Sequence, residues 1–136
     1  NFIFTKCGKI CPELTAQMKR IEKAYRLNPE VQLISMTVTP WIDDVKTLKA
    51  FGKKHQISAH NWQLLTGPKE QIYHLARKSF FAEESLGFNK DASEFLHTEH
   101  LILVDQKGQI RGIYNGTLPF EAVQCIEDVK ILLNEI

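Results

Sequence analysis

The chain has 136 residues, and its 17 Lys and Arg residues against 16 Asp and Glu residues leave a net charge of +1. This length predicts one domain over residues 1–136, and 43% hydrophobic residues supply one packed core. A disordered tail, a collagen-like chain and a disulfide-stapled miniprotein are thereby excluded. The balanced charge argues against nucleic-acid binding, and no stretch reaches the roughly 18 apolar residues of a membrane span. We expect a monomer.

The first predicted elements are a strand and a helix. Asn1–Thr5 is an aromatic and β-branched run, typical of a buried strand. Pro12 suits the first turn of a helix, which Asn28-Pro29 ends. The apolar residues between them recur at helical spacing: Leu14, Met18, Ile21 and Tyr25.

A second strand and helix follow. Val31–Val38 is predicted as the strand, and Thr39-Pro40 ends it. Asp43 and Asp44 are both candidate N-caps for the helix. The apolar side of this helix would consist of Val45, Leu48 and Phe51.

The second half of the chain begins with a short strand, Trp62–Leu65, and a helix after Thr66-Gly67-Pro68 with Ile72 and Leu75 facing inward. Phe80–Leu96 has no clear period. The remaining elements are a strand at His100–Val104, a turn at 105–108, a returning strand at Gln109–Tyr114 and a closing helix at Thr117–Ile136 whose inward residues would be Phe120, Val123, Ile126 and Val129.

Alternation of strands and helices predicts an α/β fold in which helices cover both faces of a central mixed sheet, with the late hairpin as an antiparallel edge. Two cysteines at the end of the first strand make this order thioredoxin-like. Functional sites of such sheets lie at the carboxyl ends of strands, and Cys7 follows the first strand.

Cys7 and Cys11 form the pattern C-x-x-x-C-P at the predicted entry to the first helix. The positive end of a helix favours thiolate, which is the nucleophile in disulfide exchange and a soft ligand for Cu(I). From the residues alone, the pair predicts either a redox couple or a metal clamp. Cys125, within the last helix, is predicted to be a small buried hydrophobe, and Met18 and Met36 to be core residues.

The run Phe2-Ile-Phe-Thr-x-Cys-x-x-x-Cys-Pro12 resembles the SCO/SenC family of copper-binding proteins. Thr37-Val-Thr-Pro40 with Asp43 is similar to the family's S-V-D-P-x-x-D segment, and Trp62–Gly67 to its W-x-x-L-T-G strand. His97, eleven residues before Gly108, matches the spacing of the family's copper-ligand histidine. The sequence departs from the pattern at Gly8, where the family has proline, and at Thr39, where it has aspartate.

The resemblance implies that Cys7, Cys11 and His97 bind copper, as Cu(I) or Cu(II), and that the cysteines are also the thiol–disulfide centre. Strand periodicity puts residues 97 and 100 on opposite sides, so His97 and His100 would not share one ion, and the family spacing selects His97. Glu99 is a reserve ligand, while Asp43 could orient the site or cap a helix. His55, His60 and His74 are predicted to be ordinary surface or core residues. We hypothesise that segment 80–96 moves to deliver or withdraw His97.

The implied function is delivery of copper to the CuA site of cytochrome c oxidase, or to another cuproprotein, or reduction of the cysteines of that site. A thiol reductant protein would be a second partner. The family also implies a location on the periplasmic or intermembrane-space side, tethered to a membrane by a segment outside this chain.

Three alternatives remain. A thiol–disulfide oxidoreductase without copper would need the two cysteines but not His97. A peroxidase of the peroxiredoxin type is disfavoured, because Phe4 and Gly8 occupy the positions of its required proline and threonine relative to Cys11. A redox or copper sensor is the third alternative.

Overall fold

The structure is a computed structural model that describes residues 1–5, 10–57, 60–76 and 99–135, with the backbone alone at Ile10 and Cys11. The elements follow the predicted order. They are β1 (Phe2–Ile3), α1 (Ile10–Ala24), β2 (Leu33–Thr37), α2 (Val45–Lys54), β3 (Trp62–Leu65), α3 (Lys69–His74), β4 (His100–Val104), β5 (Ile110–Asn115) and α4 (Pro119–Asn134). In these ranges no helix is both long and apolar enough to cross a membrane.

The strands form one parallel and one antiparallel ladder. β2 lies between β1 and β3, with Leu33 opposite Trp62 in a parallel register. β4 and β5 pair in an antiparallel hairpin, with Leu101 opposite Tyr114. The hairpin turn contains Gly108 at φ +79°, a conformation that glycine adopts without steric cost. The ladders thus have the directions that the sequence predicts, and within the described ranges they form two separate sheets.

Apolar side chains form two clusters because successive strand residues face opposite sides of a sheet. Leu33 of β2 belongs to the first cluster, whereas Met36 packs against the second. The first cluster packs strands of both sheets against α1 and α4. It consists of Met18, Ile21, Leu33, Trp62, Leu101, Tyr114, Cys125 and Val129. The second includes α3 and consists of Phe2, Val38, Ile72, Tyr73 and Ala76. Helices therefore cover both sides of the parallel strands, which confirms the predicted fold class.

The buried faces of the helices match the sequence pattern in α1 and differ from it in α4. Leu14, Met18 and Ile21 are buried in α1 as predicted. In α4, the prediction that Phe120 and Val123 face inward is wrong, since their exposed fractions are 70% and 45%. Val129 and Cys125 are buried as predicted, and Ala122 is buried with them in one stripe.

Tertiary contacts explain the choice of this stripe. α4 packs against both α1 and β5. Tyr25, the residue after α1, donates a hydrogen bond from its hydroxyl to the Ile126 carbonyl at 2.5 Å, and Tyr114 of β5 donates to Asp128 at 2.6 Å. Cys125 and Val129 pack in the first cluster with Met18 and Ile21 of α1 and Tyr114 of β5, so this side of α4 faces the core.

Candidate functional site

The structure describes none of the three predicted ligand side chains, so their surroundings are described from the residues next to them in the chain. Cys7, His97 and segment 80–96 lie outside the described residues, and Cys11 is described by its backbone alone, in the first turn of α1. The geometry of the site is therefore defined by described residues that flank them. These are Thr5, two residues before Cys7, Leu14, three residues after Cys11, and Glu99, two residues after His97.

Thr5, at the carboxyl end of β1, is fixed by Asp43. The backbone N–H of Thr5 donates to Asp43 Oδ2 at 3.1 Å, and its hydroxyl donates to Asp43 Oδ1. The hydroxyls of Thr37 and Thr39 donate to Asp43 Oδ2 at 2.7 and 2.8 Å. We call these four residues the Asp43 cluster. It ties the chain that enters Cys7 to the end of β2 and to the segment before α2.

The Asp43 carboxylate has no solvent-exposed surface. A buried charge is costly unless hydrogen bonds replace the water it loses, and four donors do so here. These bonds are directional, so they hold Thr5 in one position relative to β2. Asp43 therefore fixes Thr5, the last described residue before Cys7.

The neighbouring carboxylate has a different role. Asp44 is the N-cap of α2 and accepts a hydrogen bond from the Thr47 N–H at 2.8 Å. This hydrogen bond is the main reason that the pKa of the Asp44 carboxyl is lowered from its usual value. Of the two candidate N-caps in the sequence, Asp44 is the cap, and Asp43 belongs to the buried cluster.

Gly116 brings the segment after His97 next to the first half of α1. Its N–H donates to the Glu99 carbonyl at 2.7 Å. A Cβ at this position would clash with Leu14 Cδ2 and would lie 3.0 Å from the Glu99 oxygen. This close approach therefore requires glycine, and it makes Glu99 and Leu14 neighbours across Gly116.

His55, His60 and His74, which were predicted to be ordinary surface or core residues, are exposed or half-buried. His60 and His74 are exposed, while His55 is half-buried with its ring 4.4 Å from that of Phe51. Burial lowers the pKa of His55 from its usual value. Across the part of the chain that the structure describes, no group of three or more His, Cys, Asp or Glu side chains could hold one metal ion. Cys7 and His97 are outside that part.

Cys125 is a buried free cysteine in the first apolar cluster, as predicted. Burial, followed by the Asp128 carboxylate, raises the pKa of the Cys125 thiol to about 12. A thiol with so high a pKa stays protonated near neutral pH and is a poor nucleophile and metal ligand. Cys125 is therefore chemically distinct from a cysteine at a helix N-terminus.

Sequence reasoning missed the threonines of the Asp43 cluster. Thr5 and Thr37 stand at or just after the ends of the first two strands, and Thr39 precedes Pro40. Hydroxyls at neighbouring strand ends close to an Asp-Asp pair are a signal for such a cluster. That signal becomes specific only once β1 and β2 are known to be adjacent.

Comparison with known proteins agrees with this architecture. The SCO1/SenC family model matches residues 1–134. The SCO1 protein homolog of Bacillus subtilis (strain 168) is 36% identical over 132 residues, which make up 96% of this chain and 67% of that protein. The chain thus spans about two thirds of the length of this curated relative.

Solved structures extend the comparison. A SCO1/SenC family lipoprotein from Bacillus anthracis str. Ames has a TM-score of 0.80 at 30% identity, covering 97% of this chain and 78% of the other. BsSco, described as a member of the Sco family of cytochrome c oxidase assembly proteins with a disulfide switch, has a TM-score of 0.77 at 34% identity, covering 96% and 76%. Arabidopsis thaliana ScoI, solved with copper bound, shares the fold at 20% identity with a TM-score of 0.71, covering 99% and 82%. On these matches and this thioredoxin-like architecture, the chain belongs to the SCO1/SenC family.

Proposed function

We propose that this chain binds copper through Cys7, Cys11 and His97 and acts in cytochrome c oxidase assembly as a single-domain copper chaperone for the CuA site. The observation that supports this most is the close approach of both Glu99 and Leu14 to Gly116. It brings Glu99, two residues after His97, and Leu14, three residues after Cys11, to the same glycine.

The donor chemistry supports copper. Two thiolates and one imidazole form a soft set that suits Cu(I) and is also compatible with Cu(II). Cys11 lies in the first turn of α1, a helix of 15 residues, where the exposed N–H groups favour thiolate over thiol. Structural zinc sites usually require four protein ligands, so three donors fit zinc less well.

Redox state would control copper binding. Oxidation of the Cys7 and Cys11 thiols to a disulfide releases two electrons and two protons and removes two of the three ligands. A disulfide in the receiving protein would accept both electrons and both protons, leaving a dithiol there and a disulfide here. The same pair could therefore reduce the CuA cysteines, deliver copper to them, or do both.

The second candidate is a thiol–disulfide oxidoreductase that acts without copper. It is favoured by the disulfide switch described for BsSco, which is 34% identical to this chain. This function needs Cys7 and Cys11 and is indifferent to His97. The two candidate functions therefore predict different effects of a substitution at His97.

Location and partners follow from the same proposal. A solved relative is described as a lipoprotein. We place this domain outside the cytoplasm, tethered to a membrane on the periplasmic or intermembrane-space side. Its partners would be the oxidase subunit that contains the CuA site and a protein that reduces the Cys7–Cys11 disulfide.

The test is a Cu(I) titration of the fully reduced protein against a chromophoric chelator, followed by the optical spectrum with Cu(II). We expect one copper per chain and a sulfur-to-Cu(II) charge-transfer band. His97→Ala, Cys7→Ser and Cys11→Ser should each lower copper affinity by more than about 100-fold, since even an outer-shell residue contributes roughly 10–100-fold. Cys125→Ala is the matched control and should bind copper like the parent protein.

The outcomes separate the two candidates. If His97→Ala binds copper as the parent does, His97 is not a ligand. If binding is also weak in the parent, the copper function is rejected in favour of the dithiol oxidoreductase. The reduction potential of the Cys7–Cys11 pair then becomes the quantity that decides the direction of electron flow.

A further inference from the structure

An exposed apolar patch lies between β2 and α2. Trp41, Ile42 and Val45 have exposed fractions of 55%, 37% and 60%. Single exposed apolar side chains are common, but three within five residues form a patch of the kind that marks interaction sites. Val45 was predicted to face inward with Leu48 and Phe51, and its exposure corrects that expectation.

The indole of Trp41 is held in place on α3. Its ring centroid lies 6.5 Å from that of Tyr73, and Lys69 Nζ lies 5.0 Å from the Trp41 centroid and 5.4 Å from the Tyr73 centroid. Tyr73 is in turn anchored just after β2 by a 2.7 Å hydrogen bond from its hydroxyl to the Val38 carbonyl. Trp41 is therefore a pre-positioned aromatic group, which loses little conformational freedom when it binds a partner.

The patch continues into a positively charged helix face. α2 has no acidic residue and contains four exposed lysines: Lys46, Lys49, Lys53 and Lys54. The rest of the chain has 13 basic and 16 acidic residues, so positive charge is concentrated here. Lys46, Lys49 and Lys53 are three and four residues apart and share one side of the helix, opposite the buried Leu48 and Phe51.

We call Trp41, Ile42, Val45, Lys46, Lys49 and Lys53 the Trp41–lysine surface. Two carboxylates are close to it. Asp44 accepts the capping hydrogen bond of α2, and Glu70 is an exposed neighbour of Lys69 in α3. The net charge of the surface remains positive.

This surface borders the candidate site. Asp43 stands between Ile42 and Asp44 in the chain and accepts two hydrogen bonds from Thr5. Cys7 follows Thr5 by two residues, a length of chain that spans at most about 7 Å. A protein that exchanges copper or electrons with the cysteine pair must bring its own sulfur atoms into contact with it, and would cover the adjoining surface.

We propose that the Trp41–lysine surface docks the copper-receiving domain that contains the CuA site, and that this domain presents acidic side chains around an apolar patch. The inference rests on the proposed function and adds where and by what chemistry the partner binds. Opposite charges accelerate the encounter, and a fixed tryptophan beside them is typical of the residues that dominate binding energy.

The experiment measures the second-order rate of copper transfer from the Cu(I)-loaded chain to the copper-free CuA-bearing domain of cytochrome c oxidase. The test variant combines Lys46→Glu, Lys49→Glu and Lys53→Glu. Its control has the same net charge and combines Lys23→Glu, Lys107→Glu and Lys130→Glu, three exposed lysines on other elements. Trp41→Ala is paired with Phe120→Ala, which removes another exposed aromatic side chain.

At low ionic strength, we expect the α2 lysine variant to transfer copper about 10–100-fold more slowly than the parent, and added salt to reduce the difference. Trp41→Ala should weaken the complex by about 10-fold or more, and both controls should stay within about 2-fold. Copper affinity should be equal in all variants, since none of the substituted residues is a proposed ligand.

Two results would overturn the inference in different ways. Equal transfer rates in all variants, with no dependence on salt, reject the docking surface and leave the proposed function intact. Tight copper binding without transfer by the parent rejects the CuA domain as recipient, and the inference falls with it. Vesicles of phosphatidylcholine and phosphatidylserine are a further probe, and binding that depends on the α2 lysines without an effect on transfer would assign the surface to a membrane instead.

Discussion

Two buried regions of this protein are held together by different forces. The Asp43 cluster, at the carboxyl ends of β1 and β2, is polar and is fixed by four hydrogen bonds to one carboxylate. The region around Trp62, on the face covered by α1 and α4, is apolar and is held mainly by the surface it removes from water. Trp62 adds one polar contact, a 2.9 Å hydrogen bond from its indole N–H to the Ser35 hydroxyl.

This difference means that the Trp62 region contributes mainly to stability, whereas the Asp43 cluster fixes the position of a particular residue. Apolar contacts are non-directional, so the Trp62 region contributes free energy of folding without fixing any one backbone atom. Hydrogen bonds to Asp43 are directional, and two of them end on Thr5. We infer that the apolar region keeps the domain folded, while the Asp43 cluster determines how the chain enters Cys7.

The largest effect on stability is expected for Trp62→Ala. Truncation of this fully buried indole should lower the free energy of unfolding by about 3–5 kcal/mol, measured by urea denaturation. Under conditions where the variant is folded, the alkylation rate of Cys7 and Cys11 should be close to that of the parent. Trp41→Ala is the matched control and should cost under about 1 kcal/mol, because Trp41 is exposed.

A large change in cysteine alkylation in folded Trp62→Ala would contradict this comparison. It would mean that the apolar region also positions the cysteine segment.

The next effect is expected at Asp43. Asp43→Ala leaves the Thr5, Thr37 and Thr39 donors without their acceptor and should cost about 3–4 kcal/mol. Asp43→Asn should cost about 1–2 kcal/mol. Its amide oxygen can accept from the Thr5 N–H and from the two hydroxyls at Oδ2, while its NH₂ donates to the Thr5 hydroxyl.

The readout that tests positioning is the reduction potential and alkylation rate of the Cys7–Cys11 pair. Both should change in Asp43→Ala and return toward the parent values in Asp43→Asn. If Asp43→Ala is destabilised but the cysteine pair behaves as in the parent, Asp43 has only a structural role.

The smallest effect is expected at Asp44, the exposed N-cap. Its pKa is lowered because the charged carboxylate accepts the Thr47 N–H bond, so the stabilisation is present above the ordinary carboxyl pKa and is lost as pH falls through the lowered value. Asp44→Ala should therefore lower the free energy of unfolding at neutral pH. The gap between the free energies of unfolding of the variant and the parent should become smaller in acid. Urea denaturation at a series of pH values from about 7 to about 2.5 measures this difference.

If the free energies of unfolding of Asp44→Ala and the parent differ by the same amount at every pH in this range, the carboxylate charge contributes nothing to the cap.

Local patterns in the sequence predicted the element order, the fold class and the family. The apolar spacing of α1 is visible along the chain, because it depends on residues three or four positions apart. The proposed ligands Cys7, Cys11 and His97 were also selected from the sequence, by spacing and family resemblance. They stay predictions, since the structure describes none of their side chains.

Other features depended on which elements meet. The sequence could not decide between Asp43 and Asp44 as the cap, because that choice requires β1 to bring Thr5 next to β2. The buried stripe of α4 was predicted only in part for the same kind of reason. α4 packs against α1 and β5 with Ala122, Cys125 and Val129 buried, which leaves Phe120 and Val123 exposed.

By itself, then, the sequence determined what is set by local periodicity and by the chemistry of residue types: a thioredoxin-like order of elements and a thiol pair at a helix start. Only the tertiary structure decided the Asp43 cluster, the approach of Leu14 and Glu99 to Gly116, and the packing of the exposed Trp41 on Tyr73 and Lys69 of α3. These features join residues far apart in the chain, and their energies depend on distances that no local pattern contains.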